Sequence, residues 1–167
     1  MSASYDWSRF VVRININAPL QKLYDSWATR KGMEYWFLRV SEYKSKDEKL
    51  RANEEQVAAG DTYKWLWHGY SDDTAEYGNI EEANGKDFFK FSFGKAGVCS
   101  VKIFKDQDEN FVELTQENIP DDEYSRSMWH VGCKTGWTFY LANLKSLYEG
   151  GIDLRNKNEL IQGVINA

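Results

Sequence analysis

Two histidines, two cysteines, a glutamine within an apolar run and a pair of adjacent aspartates are the residues with most chemical promise in this chain. His68 and His130 are the only histidines, and neither sits near a cysteine. Cys99 and Cys133 form no C-x-x-C or Cys/His cluster. A structural zinc site takes four close nitrogen or sulfur ligands, so no metal is expected. No Ser-His-Asp spacing, P-loop or G-x-G-x-x-G occurs, and no cofactor is expected either. Ser, Asp and His could still meet in space. The histidines are expected at the surface or supporting other groups. Each cysteine is expected to be a small buried apolar residue in a reduced compartment, with a disulfide between them unsupported by spacing. Gln116 follows Val112 and Leu114 at period two, so its amide faces inward. A buried amide left unpaired costs about 1–3 kcal/mol. Gln116 therefore makes either an internal hydrogen bond or a ligand contact. Asp121 and Asp122 precede a helix, where capping is expected and a general-base role is the alternative.

The elements that must hold these residues follow from periodicity. Residues 7–16, WSRFVVRINI, read as an opening strand. Ala18-Pro19 starts a helix whose Leu20, Leu23, Tyr24 and Trp27 share one face. A second short helix is expected over Lys31 to Phe37, and residues 44–61 read mostly as loop, with a short strand near Leu50. Five strands then follow at 62–70, 75–83, 86–93, 98–105 and 110–118, and Asn84-Gly85 is a strong hairpin signal. Short connections imply an antiparallel meander.

Alternation assigns an inward face to Tyr63, Trp65 and Trp67, to Ile80, to Phe89, Phe91 and Phe93, to Val101 and Ile103, and to Leu114 and Gln116. Each strand has one apolar and one charged face, as in a sheet covered on one side. The cover is a long helix over about Tyr124 to Glu149. Its stripe of Trp129, Cys133, Trp137, Tyr140, Leu141, Leu144 and Tyr148 recurs at spacings of three and four. Gly132 and Gly136 lie beside that stripe and each costs up to about 1 kcal/mol in a helix interior. Close approach to a neighbour, or room for something else, would explain them.

Composition narrows the function classes. Lys plus Arg number 21 against 26 Asp plus Glu, for a net charge of -5, and no basic stripe appears. Nucleic acid is therefore not an expected partner. Aromatic residues are 16% of the chain, with seven Trp, which suits an aromatic core or an aromatic-lined cavity. The opening MSASYDWSRF lacks a basic stretch followed by an apolar one, so no signal peptide is read there. No run of roughly eighteen apolar residues exists to span a membrane. A cytoplasmic single domain over residues 1–167 is expected.

The order of elements resembles the helix-grip fold of the START-like, or SRPBCC, superfamily: α+β, birch-pollen-allergen-like, with a curved antiparallel sheet wrapped round a long C-terminal helix. "INAPLQKLYDSWATRKGMEYWF" is similar to an opening in which an apolar strand, "aP", a helix with Trp and a Thr precede a Trp-Phe pair. "AAGDTYKW", "YGNIEEANGKDFFKFSF" and "TGWTFYLANLKSLYEGG" resemble, in order, the later motifs of the family related to the C-terminal domain of the activator of heat-shock-protein ATPase. The likeness covers roughly residues 7 to 155.

That resemblance implies a cavity between sheet and helix, lined by the inward residues named above together with Trp129, Cys133 and Trp137. Three functions follow as expectations. The first is a non-catalytic binding module for a small hydrophobic or aromatic molecule. The second is a chaperone-associated interaction domain. The activator's separate N-terminal domain has no counterpart in these residues, so ATPase stimulation does not simply carry over. The third is a hydrolase or cyclase of the same superfamily, for which the inward face offers just Gln116 and tyrosine hydroxyls. Fold alone does not choose among them.

Overall fold

Alternation of buried and exposed side chains builds the sheet strand by strand. The computed structural model describes residues 4–165; the first three residues of the opening segment and the last two of the expected domain lie outside it. β1 (Phe10–Asn15) is followed by α1 (Leu20–Ala28), α2 (Arg30–Trp36) and β2 (Val40–Lys44). The meander comes next: β3 (Thr62–Leu66), β4 (Ala75–Ala83), β5 (Phe88–Ser92), β6 (Val98–Asp106) and β7 (Glu109–Glu117). All pairings are antiparallel and the order across the sheet is β1-β7-β6-β5-β4-β3-β2. The curved sheet and the long helix against it form a helix grip, and β1 joins at one edge beside β7.

Two expectations about elements are corrected. β2 lies at the opposite edge, where no strand was read, because VSEYK carries two charges and has only two inward positions, Ser41 and Tyr43. The strand expected over 62–70 stops at Leu66, since the chain turns away and Gly69 takes a left-handed φ of 84°. The loop over 44–61 holds, and the strand near Leu50 shrinks to one bridge between Lys44 and Leu50.

The closing helix begins with α3 (Glu123–Ser125), widens into a π-helical turn at Arg126–Val131, and continues as α4 (Gly132–Tyr148). Asp122 caps its start, accepting from the Ser125 backbone N–H at 3.0 Å and the Ser125 hydroxyl at 2.7 Å. Asp121 does not cap; it pairs with Arg126 at 2.6 Å. At the other end, the tail turns back over α2. The Arg155 guanidinium donates to the carbonyls of Glu34, Tyr35 and Leu38 at 2.8–3.1 Å, and its other contacts go to Asp153. The Glu34 and Tyr35 carbonyls belong to the last turn of α2, where intrahelical donors run out, and Leu38 lies just past it. Asn143 completes the joint by donating to Trp36 O and accepting from Leu154 N, both at 2.7 Å. Together these contacts hold α4 against the ring-rich end of α2.

Candidate functional site

Gln116 shows how tightly the interior is organised. It lies on β7 opposite Phe10 on one side and Cys99 on the other, fully buried. Its Oε1 accepts from Trp137 Nε1 at 2.9 Å and from Cys99 Sγ at 3.5 Å, and its Nε2 donates to the Ala96 carbonyl at 2.9 Å. Of the two roles open to this amide, the internal one is realised. Gln116 orients the Trp137 indole and ties the 3-10 turn at Gly94–Ala96 to the sheet.

Rings fill the space between sheet and helix. Tyr63 stacks on Trp65 at 3.9 Å, Trp65 meets Phe91 at 5.1 Å, and Trp137 contacts Phe91 at 6.2 Å and Phe93 at 5.7 Å. Two further rings come from the short helices: Phe37 lies 4.9 Å and Trp27 5.8 Å from Trp137. Of the residues expected to line a cavity, Tyr63, Trp65, Ile80, Phe89, Phe91, Val101, Ile103, Leu114, Gln116 and Trp137 are buried. Trp67, Phe93, Trp129 and Cys133 are half-buried and pack against the rest. The structure therefore divides the expected set into a packed interior and a partly open edge.

That edge is where the helix glycines lie. Trp129, Cys133, Gly136 and Tyr140 follow one another at spacings of four, three and four, which puts them on one side of the helix. A side chain added at Gly136 would meet nothing within 4 Å, and one at Gly132 would meet just the Ser127 carbonyl at 3.6 Å. The glycines thus border open space; they do not admit a closely packed neighbour.

One residue on this edge escaped the sequence reading. Glu76 pairs across the sheet with Trp65 and shares its inward face with Ile80. Its Oε1 lies so near Gly94, itself at a φ of 49°, that a Cβ there would approach it to 2.5 Å. Among the described residues Glu76 has no hydrogen bond or ion pair, and burial pushes its carboxyl up. The signal was present in AEYGNI, where period two from Ile80 passes through Gly78 to an acid.

The remaining chemically promising residues have structural work. His130 is buried and takes the supporting role of the two expected for it, within the π-helical turn and beneath the N-terminal segment. Its Nδ1 lies 2.9 Å from the Trp7 carbonyl and its Nε2 2.9 Å from the Tyr5 hydroxyl. A carbonyl can only accept, so Nδ1 carries the proton and Nε2 accepts from Tyr5. His68 is half-buried, and desolvation, then Arg155 and Lys157, lower its pKa to about 4. Burial raises both thiols, Cys99 the more strongly, which keeps them protonated and poor nucleophiles. Ser41 Oγ, Tyr43 Oη and Trp65 Nε1 are buried close together without a hydrogen bond of acceptable geometry. Among the described residues no group of three His, Cys, Asp or Glu could hold a metal, and no helix is long and apolar enough to cross a membrane.

A surface groove of about 990 Å³ runs between the short helices and residues 53–56. Its polar side chains satisfy one another, through Lys31 with Glu54, Gln56 with Asp25 and Ser26 with Tyr148. It reads as a solvated crevice.

By sequence, no family model and no curated protein matches the chain. Solved structures do. A Staphylococcus saprophyticus protein superposes with a TM-score of 0.67 at 18% identity, over 88% of this chain and 96% of that one. The Aha1 dimer from Colwellia psychrerythraea gives 0.63 at 16% identity, over 86% and 97%. A Mesorhizobium loti protein gives 0.64 at 14% identity, over 85% and 97%. These are likenesses of fold.

Proposed function

We propose that this chain, which has the START-like helix-grip fold, is a non-catalytic cytoplasmic binding module for a small hydrophobic or aromatic molecule. The molecule binds at the partly open edge of the grip, between Trp67 and Phe93 on the sheet side and Trp129, Cys133 and Gly136 on the helix. The observation carrying this reading is the open space at Gly136 beside rings that are left half-buried. Apolar area at such an edge is a ready source of affinity, about 25 cal/mol per Å² removed from water before ordering costs. A non-catalytic role is supported by the state of the candidate groups: the thiols are held protonated, and both nitrogens of His130 are engaged.

Tryptophan fluorescence during titration with apolar dyes and aromatic compounds tests the reading. Gly136→Leu fills the edge while improving helix propensity by up to about 1 kcal/mol, so it should abolish binding in a folded protein. Unchanged affinity in Gly136→Leu would place the site elsewhere. A chaperone-associated role is a second reading, motivated by the Colwellia neighbour's name. It is tested by adding the protein to a purified heat-shock ATPase and measuring turnover; an unchanged rate together with no complex on gel filtration rejects it.

A further inference from the structure

Glu76 is the one feature at this edge that an apolar ligand does not explain. It faces inward from β4 beside Trp65, with the Gly94 backbone against its carboxylate and Phe93 next in the chain. The titratable groups that share its surroundings are the Tyr63 hydroxyl on β3 and the Cys133 thiol on α4. Burial raises both, so both are neutral at physiological pH. Tyr63 donates its proton elsewhere, to the Ser92 carbonyl at 2.6 Å. Among the described residues no cation lies within ion-pairing distance of Glu76.

Taking a carboxylate out of water without a partner is costly, and an inward acid among rings is a residue that a simple core excludes. Trp65, opposite it on β3, and Phe93, beside Gly94, bring no positive charge to the carboxylate, so the patch is apolar and locally negative. Such a patch attracts a weakly hydrated cation. A bare divalent ion would need six or more oxygen ligands, and one carboxylate among rings does not supply them.

We infer that the edge between Glu76, Phe93 and Cys133 binds an organic cation, an amine or quaternary ammonium attached to an apolar or aromatic body, with Glu76 as its counter-ion. The inference rests on the binding-module reading and names its ligand class. The apolar body lies along the half-buried Phe93 ring and the open side of Gly136, and the ammonium head is held at the carboxylate.

The test compares three probes of one shape on the full chain: benzyltrimethylammonium, its uncharged isostere neopentylbenzene, and the anion phenylacetate. Binding is read by tryptophan fluorescence in wild type and in Glu76→Gln. The expected result is that the cation binds wild type roughly tenfold more tightly than the neutral isostere. Glu76→Gln should remove that preference and leave the neutral probe unchanged. In wild type, cation affinity should also fall as pH is lowered through the carboxyl's titration, a readout that needs no variant. Equal binding of cation and isostere, or a preference that survives Glu76→Gln, overturns the inference while leaving an apolar site in place. Failure of all three probes to bind overturns both readings.

Discussion

Removing the Gln116 carboxamide and removing the Tyr43 hydroxyl should act on stability in opposite directions, although both are fully buried polar groups. Gln116→Leu strands the Trp137 indole N–H and the Ala96 carbonyl, each now bonded at 2.9 Å. Two orphaned groups at about 1–3 kcal/mol each predict a loss of about 2–6 kcal/mol in a urea melt. Tyr43→Phe deletes a hydroxyl that lies near Ser41 and Trp65 but bonds to neither within acceptable geometry. Its removal should leave stability within about 1 kcal/mol of wild type, on the favourable side. A larger loss would mean that the hydroxyl bridges Ser41 and Trp65 in solution. The inward direction of Gln116 was readable from alternation with Val112 and Leu114. Its partners were not, because Trp137 and Ala96 reach it from elements far along the chain.

At the scale of elements, legibility followed amphipathic contrast. The meander from β3 to β7 and the closing helix have one apolar and one charged face, and their order could be read directly. β2 lacks that contrast, and a π-helical turn leaves no mark in a three-four stripe, so the sequence did not choose between a surface and a supporting role for His130. The same holds for the joint at the end of α2, which depends on Arg155, a residue in a tail without periodicity. Arg155→Ala removes the donors serving three carbonyls and unbalances Asp153, so a loss of about 2–4 kcal/mol is expected from chemical denaturation. Arg155→Lys should recover little, because a single ammonium cannot span three carbonyls and a carboxylate as the planar fork does. Full rescue by lysine would show that charge alone secures the tail. At the candidate site, the ring wall was legible and Glu76 was not. An acid in the inward register of an alternating strand has the same sequence signature as a residue of its charged face.

For the whole molecule, two inward or half-buried titrating groups bend the pH dependence of stability in opposite senses. His68 is held at about 4, against an ordinary 6.5, chiefly by burial and then by Arg155 and Lys157, with Arg39 adding and Asp153 opposing. Between those values the unfolded chain binds a proton that the folded protein refuses, so stability rises with pH across that window and is lost as pH falls from about 6.5 toward 4. Glu76 is displaced the other way: burial raises its carboxyl above the ordinary 4.5. Just above that value the folded protein keeps a proton that the unfolded chain has released, so stability falls as pH rises there. The two slopes oppose each other where they overlap above the ordinary carboxyl value, which makes wild type a poor reporter of either group. Single variants separate them. Urea midpoints measured from pH 4 to 8 should show a flatter profile for His68→Asn than for wild type below pH 6.5. Glu76→Gln should show a steeper one there, having lost the opposing slope. Because solvent screens both groups, the differences should shrink little with added salt for the burial contribution and more for the Arg155 and Lys157 contribution to His68. A His68→Asn profile parallel to wild type would mean that this histidine titrates in the fold as it does in the open chain. The cluster around Arg155 would then not reach it.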